Sequence, residues 1–210
     1  MDLLLLSLGF GAVPAFVAET TGKAMRQLTI GYLGDARIPY AGQPGERAER
    51  DRLDAAGCAI VDVSAARQDR DEFAADLDRV DALYVAGGNT FALLWALRRD
   101  GAGDVLADRV RHSLPYIGCS AGAVVVGPSI APVARMDDPA EAPGPVDPRG
   151  LELIDTVVLP HADGQLPPYP RELIDSVRRE YGSRHHLQPL ADEEALRVRG
   201  DEHAVISSGF

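Results

Sequence analysis

Short apolar runs alternate with helical segments along this chain, and the alternation limits the possible folds more than any other feature of the sequence. Each run suits one strand of a sheet that is buried on both faces, and a helix-like segment follows most of the runs. The predicted strands are Leu3–Leu8, Leu28–Leu33, Ala59–Val63, Ala82–Ala86, Tyr116–Cys119, Asp155–Leu159, Ala195–Val198 and Ala204–Ser207. The predicted helices span residues 12–25, 45–56, 71–78, 90–99, 104–112 and 171–181. This order predicts a doubly wound, flavodoxin-like α/β fold, in which helices flank a mostly parallel sheet.

The length of the chain predicts one domain. Its 210 residues suit a single hydrophobic core, and we treat residues 1–210 as a single domain. Residues 131–150 interrupt the alternation of strands and helices, because this stretch contains several prolines and acidic residues. We therefore expect an exposed excursion there, which either covers a site or is a solvated loop.

The net charge argues against two classes of partner. The chain carries 32 acidic and 21 basic side chains, a net charge of −11, so its field repels phosphate backbones and anionic lipid. We expect neither a nucleic acid nor a membrane as partner. A small acidic substrate is compatible with this charge, because one or two arginines can hold a carboxylate locally.

The cysteines and the N-terminal run indicate a cytoplasmic protein. Cys58 and Cys119 each lie inside an apolar stretch with no second cysteine nearby, which gives neither a disulfide framework nor a metal-binding spacing. The apolar run at residues 3–6 follows Asp2 instead of lysines and soon meets glycines, so we do not interpret it as a signal peptide. We interpret it as the first buried strand.

The segment Gly118–Gly122, with the sequence GCSAG, matches the G-x-S-x-G pattern of a nucleophile turn. An apolar strand precedes it and a small-residue helix start follows it, as such a turn requires. Glycines on both sides let neighbouring backbone approach closely, and the amide of Ala121 is free to donate to a developing oxyanion. We predict that Ser120 is a catalytic nucleophile. The alternative is a glycine-rich turn in which its hydroxyl caps a helix.

A second glycine turn, at residues 87–90, ends the predicted strand Ala82–Ala86 and opens a helix. In a parallel sheet both turns fall at the carboxyl edge of neighbouring strands, where open α/β sheets bind ligands. We predict that the amide of Gly88 is the second oxyanion donor. The alternative is a purely structural turn in which Asn89 caps the helix.

A serine nucleophile needs a base, and His161 is the best-placed histidine because it follows a predicted strand. The other histidines lie in polar segments or turns and are predicted to be solvated: His112, His185, His186 and His203. The base needs an orienting carboxylate, for which we select Asp192 at the start of a late strand, with Glu193 and Glu194 as fallbacks. The order serine, histidine, acid differs from that of α/β-hydrolases, which disfavours that fold.

Two longer motifs connect these residues to a known family. The pairing of AGGNTFALLWALRRDG with LPYIGCSAGAVVVGPSI resembles peptidase E, the aspartyl dipeptidases of serine peptidase family S51. The similarity spans most of the chain and includes the opening MDLLLLS, residues 38–42, residues 159–161 and the region of Asp192. It implies a class I glutamine amidotransferase-like fold. It also implies hydrolysis of dipeptides with an N-terminal aspartate by a Ser-His-Glu or Ser-His-Asp triad, without a metal or other cofactor.

The resemblance assigns the same roles that the motifs suggest. It implies that Ser120 is the nucleophile, His161 the base and Asp192 the acid. The amides of Gly88 and Ala121 match the oxyanion donors. In this chain the acid is an aspartate, whereas the best-known members have a glutamate.

Asn89 and Arg171 are predicted to bind the substrate. Arg171 matches an arginine that follows the histidine loop in the family, and its planar guanidinium suits the aspartyl carboxylate of a substrate. The alternative is that it pairs with Glu172 or Asp175 in the first turns of a helix. The loop before Arg171 is shorter than in familiar members, and Ala162 stands where they have an aromatic residue.

Other functions stay open. A cyanophycinase-like hydrolase of β-aspartyl-arginine would share the superfamily, and a non-catalytic protein on this fold would sense a small metabolite. A thiol enzyme is disfavoured, because Cys119 precedes the serine of the turn and would point away from the site. We expect a small peptide as substrate, and a monomer or a homodimer.

Overall fold

The computed structural model describes residues 1–209, which are organised around a seven-stranded sheet. In these residues the strands are β1 (Asp2–Leu6), β2 (Thr29–Leu33), β3 (Ala59–Val63), β4 (Ala82–Val85), β5 (Tyr116–Cys119), β6 (Thr156–Leu159), β7 (His186–Pro189), β8 (Glu194–Arg199) and β9 (Glu202–Ser207). The main sheet has the order β3-β2-β4-β5-β1-β8-β9, and β6 pairs with β7 separately. The strands from β3 to β1 are parallel, while β8 and β9 add an antiparallel edge. The predicted fold class is confirmed.

Helices cover both faces of the main sheet. They are α1 (Val13–Thr21), α2 (Ala48–Ala55), α3 (Arg70–Leu77), α4 (Thr90–Arg98), α5 (Ala102–His112), α6 (Ala121–Val124) and α7 (Arg171–Tyr181). On one face the core includes α1 and α2, and on the other face it includes α3, α4, α5 and α7. No helix within residues 1–209 combines the length and the apolar composition that crossing a bilayer needs.

The continuous apolar run of β1 explains why this strand lies inside the sheet. Leu3 and Leu5 belong to the core on one face, and Leu4 and Leu6 belong to the core on the other. All four side chains are fully buried. Because full burial of a leucine contributes roughly 1.5–3 kcal/mol, a polar residue at any of these positions would destabilise the sheet.

The sheet order places the two predicted glycine turns side by side. Strands β4 and β5 are parallel neighbours, with Val85 opposite Gly118 in the register. Both chains therefore leave the sheet at the same edge, as the sequence predicts for the turns at residues 87–90 and 118–122.

Residues 186–189 form a strand that the sequence analysis missed. Strand β7 pairs in parallel with β6, and Thr156 Oγ1 lies 3.0 Å from Nδ1 of His186. The sequence carries no signal for this strand, because HLQP has no apolar pattern of its own; the side chain of His186 is exposed, as predicted, and that of His185 is half-buried. The predicted turn around His203 is also wrong: the residue lies in β9, although its side chain is exposed.

The first two elements are shorter than predicted. Strand β1 ends at Leu6 instead of Leu8, and α1 ends at Thr21 instead of residue 25. Gly22 ends this helix in a left-handed conformation, with φ of 71° and its N–H bonded to the carbonyl of Ala18.

The excursion at residues 131–150 is only partly exposed. Val133 is buried against the core, and Asp137 is 9% exposed. The carboxylate of Asp137 accepts the backbone N–H of Thr90, at the start of α4, at 2.9 Å. Residues 138–149 are mostly exposed, as predicted. The prediction is therefore wrong for the first part of the segment, which packs against the end of β4 and the start of α4.

Candidate active site

Ser120 occupies a strained turn between β5 and α6. Its φ of 47° and ψ of −104° lie outside the regions that residues with a side chain ordinarily adopt, which costs about 1–3 kcal/mol. The backbone N–H of Ser120 donates to the carbonyl of Leu6, at the end of the neighbouring β1, at 2.9 Å. The half-buried serine is thereby held at the carboxyl edge of the sheet.

Close backbone packing explains both glycines of the G-x-S-x-G motif. A Cβ at Gly122 would lie 2.4 Å from the carbonyl oxygen of Val85, and a Cβ at Gly118 would lie 2.3 Å from the carbonyl oxygen of Gly122. Such distances are sterically forbidden, so a larger residue at Gly122 would push the turn away from β4, and one at Gly118 would open the turn itself. The two glycines thus fix the shape of the turn at Ser120 and its distance from β4.

Ser120, His161 and Asp192 form a continuous hydrogen-bonded chain. Oγ of Ser120 lies 3.1 Å from Nε2 of His161, and Nδ1 of His161 lies 2.6 Å from Oδ1 of Asp192. With Nδ1 donating to the carboxylate, Nε2 is left to accept the serine hydroxyl. Glu193 is exposed, and Glu194 accepts a backbone N–H of its own turn at 2.8 Å. Of the three predicted acids, the structure brings only Asp192 to the histidine.

Two residues that the sequence analysis missed hold His161. The backbone N–H of His161 donates to Oγ of Ser7 at 2.8 Å, and its φ of 58° is in the left-handed region. The ring of Tyr169 stacks on the imidazole, with centroids 4.9 Å apart and planes inclined by 13°. Tyr169 thus supplies an aromatic contact to His161, the residue that precedes Ala162. Neither contact has a local sequence signal, because Ser7 is distant in sequence and Tyr169 lies in a proline-rich loop.

The two predicted oxyanion donors are free. In the described residues neither the N–H of Gly88 nor that of Ala121 donates a hydrogen bond. Gly88 has φ of 140°, and a Cβ there would lie 2.4 Å from the carbonyl oxygen of Ala36. Only glycine can therefore hold this turn in its present shape.

Asn89 caps α4, as the structural alternative for the glycine turn predicts, and its role in substrate binding stays a prediction. Its side-chain oxygen accepts the N–H of Ala92 at 2.9 Å, and its amide nitrogen donates to Asp138 O at 2.9 Å and to Glu141 Oε2 at 3.1 Å. The side chain is fully buried, and these three bonds occupy both of its amide hydrogens and its oxygen.

Arg171 lies outside the small cavity that Ser120 and His161 line. It is the first residue of α7 and is exposed, and its Nη2 donates to the carbonyl of Asp163 at 3.0 Å. The described residues show no ion pair with Glu172 or Asp175, so the structural alternative is not observed. Tyr169, which lines the cavity, precedes Arg171 by two residues.

Asp137 is an unexpected member of the cavity around Ser120. The residues that line this cavity are Thr90, Ser120, Val124, Val133, Met136, Asp137, Pro160, His161 and Tyr169. Oδ2 of Asp137 accepts both the N–H and the hydroxyl of Thr90, and the phenol of Tyr169 interacts with the same carboxylate. Burial raises the pKa of this carboxyl above its usual value. The dipeptide Asp137-Asp138 gives no sequence signal for such a position, because acidic pairs in proline-rich segments are ordinarily solvated.

Cys119 packs inside the protein next to the serine turn. Its Sγ lies 3.8 Å from the carbonyl oxygen of Ser7, and the side chain is 1% exposed. Burial raises the pKa of the thiol well above its usual range, so the reactive thiolate is disfavoured. The thiol packs in the core, consistent with the prediction that it points away from the site.

A strained serine beside a buried histidine–aspartate pair, at the carboxyl edge of a doubly wound sheet, is the arrangement of a hydrolytic α/β enzyme. Comparison with known proteins narrows this class. The model of peptidase family S51 matches residues 18–206. The chain therefore belongs to peptidase family S51 and is a peptidase.

Individual relatives agree with this assignment. An uncharacterised peptidase of Listeria innocua is 34% identical over 150 residues, which are 71% of this chain and 70% of the relative. Peptidase E of Streptomyces coelicolor is 35% identical over 150 residues, which are 68% of this chain and 58% of that protein.

Solved structures share the fold. A candidate peptidase E protein from Listeria monocytogenes has a TM-score of 0.85 at 27% identity, with 98% of both chains covered. A peptidase from an acI-B1 actinobacterium has a TM-score of 0.69 at 16% identity, with 98% of this chain and 87% of that chain covered. The resemblance expected from the two sequence motifs is confirmed.

Proposed function

We propose that the chain is a serine exopeptidase that hydrolyses dipeptides with an N-terminal aspartate through an acyl-enzyme on Ser120. The observation that carries the proposal is the hydrogen-bonded chain from Ser120 through His161 to the buried carboxylate of Asp192. This chain can remove the serine proton and return it to a leaving group, which is what acyl transfer requires.

The reaction proceeds in two halves. His161 takes the proton of Ser120 while Oγ attacks the scissile carbonyl, and the amides of Gly88 and Ala121 donate to the tetrahedral oxyanion. His161 then protonates the leaving amine. In the second half His161 takes a proton from water, which attacks the acyl-enzyme, and then returns this proton to Oγ of Ser120. Asp192 orients the imidazole throughout.

Asp137 supports the restriction to substrates with a free amino end. Its carboxylate lines the same cavity as the nucleophile, next to the hydroxyls of Thr90 and Tyr169. An α-ammonium group lies two bonds from the scissile carbonyl carbon, so it enters this cavity when Ser120 attacks. A charge-assisted bond to Asp137 would then favour exopeptidase over endopeptidase cleavage.

Arg171 is the proposed contact for the aspartyl side chain. One nitrogen of the guanidinium is bonded to a carbonyl, and the side chain has no carboxylate partner among the described residues. A planar guanidinium recognises a carboxylate bidentately, which a lysine does not. Because Arg171 lies outside the closed cavity, the loop at residues 162–170 must move for this contact to form.

The test is hydrolysis of a panel of Asp-X, Glu-X, Ala-X and β-aspartyl dipeptides by the wild type and by Ser120→Ala. We expect release of aspartate from Asp-X, abolished by Ser120→Ala and retained by Cys119→Ala, a matched control at the neighbouring buried position. Cleavage of β-aspartyl substrates alone would replace the proposal by a cyanophycinase-like activity. Activity that survives in Ser120→Ala would overturn the mechanism.

A further inference from the structure

Glu49 is a buried carboxylate on α2, a helix whose remaining residues are mostly polar and exposed. It is 6% exposed. Both of its oxygens accept the backbone N–H of Gly87, at 3.2 and 3.1 Å, and the guanidinium of Arg37 forms an ion pair with it. The turn that carries Gly88 is therefore held by a side chain of α2.

Glu49 and Ser120 both border the space that a side chain at Gly87 would occupy. A Cβ at Gly87 would lie 3.2 Å from Oε1 of Glu49 and 3.3 Å from Cβ of Ser120. Glu49 and Ser120 are thus both in van der Waals reach of one point. The carboxylate belongs to the immediate surroundings of the serine without touching the substrate cavity.

Arg37 neutralises the buried carboxylate. Burial lowers the pKa of its guanidinium, but the charge of Glu49 outweighs the burial and leaves the pKa raised, so the guanidinium stays charged. Nε of Arg37 is itself buried and has no hydrogen-bond partner within residues 1–209. A buried ion pair with an unsatisfied donor is costly and is seldom retained for stability alone. Its position next to the glycine turn suggests a second role.

We propose that Glu49 and Arg37 are positioning residues for the oxyanion site, an inference that rests on the proposed serine mechanism. Glu49 fixes the Gly87–Gly88 turn, so that the amide of Gly88 keeps its place beside Ser120. Arg37 cancels the carboxylate charge, which would otherwise oppose the negative charge that develops on the oxyanion. The pair acts on the transition state and not on substrate binding, because the Gly88 amide donates fully only when the oxyanion forms.

The test uses four variants with kinetics on an Asp-X dipeptide: Glu49→Gln, Arg37→Met, their double variant, and Arg37→Lys. We expect kcat of Glu49→Gln to fall about 10-fold, a fraction of the 10²–10³ that a lost oxyanion donor costs, with KM changed less than about 2-fold. Arg37→Met leaves the carboxylate of Glu49 uncompensated, so we expect its kcat to fall further than that of Glu49→Gln. The double variant should recover to the level of Glu49→Gln, and Arg37→Lys should stay near the wild type because it keeps the charge.

The concentration of active enzyme is measured by labelling with a fluorophosphonate, so that kcat refers only to folded sites. A purely structural role would lower the labelled fraction and leave kcat per labelled site unchanged, and this result would overturn the inference. If Glu49→Gln did not fold, the test would be the comparison of kcat between Arg37→Met and Arg37→Lys, since both variants keep the bond between Glu49 and Gly87. Equal kcat in these two would likewise overturn it.

A matched control lies on the same helix. Arg50 forms an ion pair with Asp62 at 2.9 Å, away from the glycine turn, and Arg50→Met should leave kcat and KM unchanged. The failure of the proposed function is distinguishable, because wild-type enzyme would then neither label at Ser120 nor cleave the dipeptide. A wild type that does both, with all variants equal to it in kcat, would refute only the role of Glu49 and Arg37.

Discussion

The ring of Tyr169 lies flat against the imidazole of His161, with centroids 4.9 Å apart. The phenol is half-buried, and burial, followed by the charge of Asp137, raises its pKa above the usual range. Tyr169 therefore stays neutral and covers the base from the side of the loop at residues 162–170. The contact connects the position of that loop to the orientation of the histidine.

Removal of this ring should slow the reaction. For Tyr169→Ala we expect kcat/KM to fall roughly 2- to 10-fold, the equivalent of one stacked aromatic pair, because the imidazole loses its lateral support. Tyr169→Phe keeps the ring and serves as the control, with kcat/KM near that of the wild type. A loss as large in Tyr169→Phe would instead assign the effect to the hydroxyl. Steady-state kinetics on the cleaved dipeptide decide between the two.

The acid of the site is tested by amide substitution. In Asp192→Asn the side-chain amide no longer selects the tautomer that leaves Nε2 free, so kcat should fall on the order of 10⁴-fold. The matched control is Glu193→Gln, at an exposed carboxylate that does not contact His161. Comparable losses in both variants would contradict the assignment of Asp192. The measurement is kcat at saturating substrate.

The role of Asp137 is tested by the charge at the amino end of the substrate. For Asp137→Asn we expect kcat/KM on a free dipeptide to fall about 10- to 100-fold, the value of a hydrogen bond to a charged group. An N-acetylated substrate lacks the ammonium, so its residual cleavage should be unaffected by the substitution. Asp138→Asn is the control, since its exposed carboxylate only accepts the N–H of Ala140. An equal loss on both substrates would assign Asp137 to the fold or the chemistry instead.

Asp35 should make the protein less stable as the pH rises. It is 4% exposed, accepts Ser64 Oγ at 2.7 Å and the N–H of Ala66 at 3.1 Å, and has a pKa raised by burial. A folded pKa above the unfolded value of about 3.9 means that its contribution is fully present below that value and is lost as the pH rises through the folded pKa. Asp35→Asn removes this dependence. In urea unfolding from pH 4 to pH 7, the free energy of unfolding of the variant should therefore rise relative to that of the wild type.

Asp81 provides the control of opposite sign. Burial would raise its pKa, but the bonds from Lys23 and from the N–H of Thr29 outweigh it and lower the pKa. Its contribution is present above the unfolded value and is lost as the pH falls through the folded one. The free energy of unfolding of Asp81→Asn should thus fall relative to that of the wild type as the pH rises from the folded pKa of Asp81 to the unfolded one. The differences in the free energy of unfolding between each variant and the wild type should therefore change with pH in opposite directions. The same direction of change in both variants would contradict at least one of the two assignments.

Sequence reasoning was sufficient where a residue carries its own local signal. Ser120 lies in a motif with the strand and helix start that it requires, and His161 and Asp192 adjoin predicted strands. Those positions follow from the rule that the carboxyl ends of parallel strands share an edge. The boundary errors concern ends such as that of α1, where the residues after Thr21 continue the helical pattern but Gly22 stops it.

The remaining site residues come from segments that have no periodic pattern. Tyr169 and Asp137 lie in proline-rich loops, and Glu49 is an acidic residue on a polar helix, where solvent exposure is the ordinary outcome. Each is placed by contacts with residues far away in sequence, such as Gly87 for Glu49. Strand β7 was missed for the same reason, since its pairing with β6 and not its own sequence determines it.

The position of β1 between β5 and β8 has a consequence for folding. Leu6 and Ser7 hold the backbones of Ser120 and His161, and Gly9 donates to the carbonyl of Asp192 at 3.0 Å. Each of these bonds joins residues that are far apart in sequence, and such non-local contacts form slowly because a long loop must close first. We therefore expect the three catalytic side chains to come together late in folding, once β1 has paired with both of its neighbours.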